Sequence, residues 1–216
     1  MNIISYGSKG AKFLSRLWDL FLLNFLWIAG SLPIITIGVS TIAAYSIALK
    51  IVADDEIPVF HTFLQAYKDN FKQGLIVSVL FFAFTASAVL DFILFEAVES
   101  NPIGFSILGF VTAAVVLMHS IYIFPLISRY RNKLHRHLVN SRRIFLRFFV
   151  KTLICILLVA AEIWLFFFNG HMLMFVGFFV APALVFCTVG AFANKIFIKL
   201  EKEREENPEM YENQDP

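Results

Sequence analysis

The sequence predicts an all-α fold, a polytopic membrane bundle of about six spanning helices with amphipathic helices at its surface. Three observations predict it. Lys and Arg are absent from three long apolar blocks, 17–49, 73–128 and 152–194, and basic residues bound each block on both sides. Hydrophobic residues make up 59% of the 216 positions and charged residues 16%, too few to cover a soluble surface of this size. A spanning helix needs about 20 mostly apolar residues, so the second and third blocks each hold two spans and the first holds two only with a very tight turn. Every hairpin then starts and ends on the side rich in Lys and Arg, which the positive-inside rule assigns to the cytoplasm. Both termini are therefore expected to be cytoplasmic.

Lys9, Lys12 and Arg16 precede the first apolar stretch as in a signal peptide, but Asp19 and Asn24 interrupt it, so a retained anchor is expected. Span one covers 17–30 and span two 33–52, joined by Gly30-Ser31-Leu32-Pro33. Because both are short, one span plus a re-entrant segment is the alternative for 17–52. The full hairpin is preferred because an even number of crossings keeps both flanks on one side. The chain then returns to water through Asp54-Asp55-Glu56. Phe60, Phe63, Leu64, Tyr67 and Phe71 recur at helical spacing opposite Lys68, Asp69 and Lys72, predicting an amphipathic helix on the inner surface or on the bundle.

Span three is expected over 74–95 and span four over 103–125, joined by an outer loop with Glu96, Glu99 and Pro102. The stretch 129–151 carries eight Lys or Arg and no Asp or Glu, which between two spans reads as a cytoplasmic loop facing anionic lipid rather than as a nucleic-acid site. Spans five and six, 152–169 and 172–194, meet at the turn Gly170-His171. From Lys195 the chain is a charged helical extension that Pro208 ends. The domain reading is one membrane domain, 1–200, and a charged, disordered tail, 201–216. Laying 63–73 over 137–147, an offset of 74, matches Leu64 with Leu138, Lys68 with Arg142 and Phe71 with Phe145. A repeat of this kind would relate like-oriented hairpins, as in some transporters.

Ionisable groups inside spans are costly and so are candidates for function. Asp91, His119 and Glu162 qualify. Asp91 is close enough to the outer boundary to reach water, Glu162 is the more central candidate for an ion or proton site, and His119 either pairs with Glu162 or bonds a neighbouring carbonyl. Asn24, Thr36, Ser40 and Thr41 can hydrogen-bond across a close helix pair, while Gly38 and Ala44 permit backbone approach. Cys155 and Cys187 read as small packing residues. No phosphate-binding glycine loop, nucleophile motif or metal-ligand spacing is visible, so no enzyme and no cofactor is expected. Arg142 and Arg143, with the stripe Phe60, Phe63 and Tyr67, are candidates for contact with a partner protein.

The segment NFLWIAGSLPIITIGVSTIAA (24–44), followed by FLQAYKDNFKQG (63–74), resembles the signature of the YesL-like bacterial membrane proteins. Asn24, Trp27, Pro33, Thr36 and Gly38 carry the first block, and Phe63, Asn70, Phe71 and Lys72 the second. Tyr67 stands where an aromatic, often Phe, is usual. The resemblance implies an integral protein of the bacterial cell membrane, often encoded beside carbohydrate ABC importers, and it supplies no catalytic residue. The expected function is that of an accessory or assembly partner of a carbohydrate ABC permease. A small transporter or channel for a sugar or coupling ion is the alternative.

Overall fold

Helices form where the apolar blocks run on, and single residues break them. In a computed structural model that describes residues 9–98 and 103–207, the order is α1 (Lys9–Gly30), a 3-10 turn (Ile34–Thr36), α2 (Ile37–Val52), α3 (Val59–Asp69), α4 (Phe71–Ala97), α5 (Ile103–Arg129), α6 (Leu134–Arg147), α7 (Phe149–Phe168) and α8 (His171–Glu206). Six stretches, on α1, α2, α4, α5, α7 and α8, are long and apolar enough to cross a membrane. The expectations about Glu99, Pro102 and the end beyond Pro208 lie outside the described residues.

The core centres on α2. Gly38, Val39, Ser40, Ile42, Ala43, Ala44, Ile47 and Ala48 are buried along nearly its whole length. Small residues let α1, α3, α4, α5 and α8 all approach it. Its first turn meets the first turns of α4, where the Gly38 N–H donates to Ser78 Oγ at 2.7 Å. Farther along, Ala48 packs on Gly190, well down α8 toward the helix's charged end. Tyr45 meets Phe186 one turn earlier, so the second half of α2 lies alongside α8. The Gly30–Pro33 connection, expected at the opposite end from α3, instead touches it, with the Tyr67 hydroxyl donating to the Gly30 carbonyl at 3.2 Å. This placement fits the re-entrant alternative for 17–52.

Away from this core the chain forms two hairpins with exposed apolar faces. In α4–α5, Gly109 lies on Asp91 and Phe92, and Phe92 meets Phe110 edge to face. In α7–α8, Gly177 seats on Phe166, and the turn uses Gly170 at φ 115°, a conformation that favours glycine.

The basic run 129–151 is largely helix α6 rather than a loop. α3 and α6 each lead into a long helix after one non-helical residue, Asn70 or Phe148. The second break falls four residues, about one helical turn, later than the 74-residue offset places it. α8 continues through Glu206, so the tail expected from 201 begins within a helix. Arg129 holds Glu201 through Nε at 3.1 Å and Nη2 at 2.8 Å, Tyr130 donates to the same carboxylate at 2.6 Å, and Arg147 pairs with Glu203 at 2.9 Å.

Candidate functional site

The motif residues build one packed joint. At the turn after α1, the Thr36 hydroxyl lies 2.8 Å from the Gly30 carbonyl and 2.7 Å from that of Pro33, closing the reversal that Pro33 starts. Gly38 and Gly74 have no space for a side chain: a Cβ on Gly38 would stand 2.8 Å from the Gly74 carbonyl, and one on Gly74 2.7 Å from Val39 Cα. Trp27 donates to Thr41 Oγ1 at 3.2 Å and meets Phe186 edge to face. Asn70 closes α3 through Nδ2 to the Ala66 carbonyl, and its own carbonyl accepts from Gly74 N–H at 2.8 Å. Phe71 meets Tyr67 with its ring tilted, and Lys72 lines a basin described below.

Asn24, in the first third of the chain, is buried and donates to the Phe178 carbonyl of α8 at 2.9 Å. Pro182, four residues beyond Phe178, lacks the N–H that would otherwise bond this carbonyl. The side chain therefore satisfies a backbone acceptor that the proline leaves open, as apolar surroundings require.

The three intramembrane ionisable residues are dispersed. Asp91 is buried at 7% exposure on the α4–α5 contact, with Oδ2 unpartnered, so it does not reach open solvent within the chain. The expectation that it reaches water is corrected: Gly109 brings α5 over it. His119 bonds the Val115 carbonyl of its own helix at 3.0 Å and borders an apolar cavity of about 240 Å³ between α4, α5 and α6. It does not pair with Glu162, whose Oε1 accepts a short hydrogen bond from Thr188 while Oε2 is buried without a partner. Among the described residues no three His, Cys, Asp or Glu side chains gather as metal ligands.

The aromatic stripe divides. Phe63 is buried at 2% exposure and Tyr67 is half-buried on Gly30, so these two anchor α3 to the bundle and leave the candidate docking surface. Phe60 stays exposed, as do Leu64 and Phe71. Arg142 and Arg143 lie exposed on α6.

Two features escaped the sequence. Tyr122 and Thr152 share a buried 2.7 Å hydrogen bond joining α5 to α7, and polar residues this common carry no signal in the sequence. His137 is fully buried on the inner face of α6, and neither ring nitrogen has a hydrogen-bond partner. Burial lowers its pKa to about 4, only partly opposed by the nearby Asn132 backbone. Its position on the buried stripe with Ser141 and Ile144 was the available clue. Burial likewise raises the pKa of Tyr130, and its hydrogen bond to Glu201 adds to the rise.

At the basic end, α2, α3, the start of α4, α8 and the segment joining α5 to α6 border an open basin of about 1430 Å³. Seven Lys and Arg side chains line it against the carboxylates Asp55 and Asp69. Gln73 Nε2 donates to the Asn132 carbonyl at 2.8 Å, fastening the start of α4 to that segment.

Six apolar helices and polar groups spent mainly on helix contacts define a multi-pass α-helical membrane protein. Residues 20–92 match the model of a family described as protein of unknown function, DUF624. That stretch contains the whole packed joint around Gly38 and Gly74, and the chain is similar to the family over it. No curated protein and no solved structure matches the chain.

Proposed function

We propose that this protein is an accessory or assembly partner of a carbohydrate ABC permease in the bacterial cell membrane, with its basic end and both termini in the cytoplasm. The carbohydrate system comes from the YesL-like resemblance, and the family match over 20–92 is compatible with it. The observation that carries the accessory role is how the span polar groups are used. Asn24, Trp27, Thr41, Ser78, Tyr122 and Thr152 bond other helices, which suits a scaffold. Phe60 and Leu64 of α3 and Arg142 of α6 stay exposed as its contact residues, and buried aromatic and arginine side chains often anchor interfaces. The test is co-purification in mild detergent: a permease should come down with the chain, and Phe60→Ala with Leu64→Ala should release it without loss of membrane insertion. Absence of any permease from the unmodified chain would remove this reading.

One observation favours the alternative of a small transporter. The unpartnered Oε2 of Glu162 is a place where a proton or cation could bind within the bundle. Purified protein in liposomes should then move a sugar or its coupling ion without a partner, and Glu162→Gln should stop it.

A further inference from the structure

We infer that the basin at the basic end is a binding site for a phosphorylated anion, either a soluble phosphate ester or the headgroup of an anionic lipid. The inference concerns this chain alone and does not depend on a permease partner.

The charges converge from separate elements. Lys50 comes from α2, Lys68 from α3, Lys72 from α4 and Lys133 from the segment before α6, and all line one volume. Of the three arginines on the lining, Arg129 is engaged by Glu201 and, at 3.8 Å, Arg131 by Asp69. None of the four lysines has a carboxylate within ion-pair distance among the described residues. Like charges held together repel, and the fold brings them together from four elements with only Asp55 and Asp69 as carboxylates on the lining, the second of them beside Arg131. A multiply charged anion would offset that repulsion, and lysine ammonium groups bind phosphate as point charges. Apolar walls from Leu49, Phe71 and Ile127 concentrate the field.

Size narrows the ligand. Small-molecule sites commonly measure about 300–1,000 Å³, so about 1430 Å³ admits an organic phosphate with water and is far larger than one inorganic ion needs. The hydroxyl of Thr62 and the amide of Gln65 on the same wall could bond the non-phosphate part.

The test uses the full chain purified in detergent and reads its thermal unfolding midpoint. Inorganic pyrophosphate probes the soluble source, and nanodiscs of phosphatidylglycerol compared with phosphatidylcholine probe the lipid source. The midpoint should rise with at least one probe. The triple variant Lys68→Gln, Lys72→Gln, Lys133→Gln should weaken that response by roughly tenfold or more, as expected when several phosphate-facing charges are lost. Lys199→Gln with Lys202→Gln, on the α8 extension and outside the basin's lining, should leave it unchanged. If the triple variant fails to fold, Lys133→Gln alone and salt titration of the unmodified protein decide, because added salt should screen the response. A response to pyrophosphate alone assigns a soluble ligand, and one to phosphatidylglycerol alone a lipid. No response to either probe, or one indifferent to both the lysine changes and salt, overturns the inference.

Discussion

Asn24 on α1 donates its side-chain amide to the carbonyl of Phe178 on α8, 154 positions away, at 2.9 Å. The bond answers a backbone acceptor exposed by Pro182. Removing the amide by Asn24→Ala should destabilise the protein by about 0.6–1.7 kcal/mol, the range for hydrogen bonds between membrane helices. Pro182→Ala returns an N–H to the helix and should make the Asn24 change cheaper. A double-mutant cycle on thermal stability checks this, and additive effects would mean the two residues are not coupled.

The contact of Gly38 with Gly74 sets a steric limit on the packed joint. Gly38→Ala and Gly74→Ala should each cost about 1–3 kcal/mol, since their Cβ atoms would press on neighbouring backbone. Gly104→Ala is the control, because nothing lies within 4 Å of its Cβ. Equal stability for all three variants would deny that α2 and α4 touch here.

Glu162→Gln should leave folding intact. Its amide oxygen can still accept from Thr188, and a neutral amide costs less to hold within the bundle than an ionised carboxylate does. Detergent-solubilised yield and melting temperature measure the outcome. Loss of sugar-dependent growth in a well-folded variant would favour the transporter alternative.

His137 should make the docking of α6 sensitive to acid. Its pKa is about 4 folded against an ordinary 6.5, so the unfolded state binds more protons between those values. Stability from the buried neutral ring is full above about pH 6.5 and falls as pH drops toward 4, by up to about 3 kcal/mol. His137→Leu should flatten this part of the pH–stability curve. An unchanged curve would show that the ring does not titrate in the window.

Cysteine labelling, with Cys155 and Cys187 replaced, tests the placement of the first turn. Reagent reaching His171→Cys from one side should miss Gln65→Cys and Asn140→Cys, which label from the other. It should also miss Leu32→Cys, because the turn after α1 touches α3. Labelling of position 32 from the His171 side would favour a double crossing for 17–52.

The sequence alone determined the class of protein and most of the helix boundaries. Long blocks without Lys or Arg, bounded by charge, are one-dimensional signals because burying charge in lipid is costly wherever the helix sits. The amphipathic α3 and the packing glycine Gly38 were legible for the same reason, since spacing and residue size are local. Only the tertiary structure decided which neighbours those residues meet. Hydropathy does not distinguish a face toward lipid from one toward protein, so the shortest apolar segment, α2, concealed its place as the buried centre. Periodicity placed Phe63 on an apolar stripe without saying that Gly30 would cover it. Lys50, Lys72 and Lys133 are far apart in the chain and read as ordinary flanking charges. Their convergence on one basin depends on how α2, α3, the start of α4 and the segment before α6 pack together, an arrangement set by close contacts that no single segment encodes.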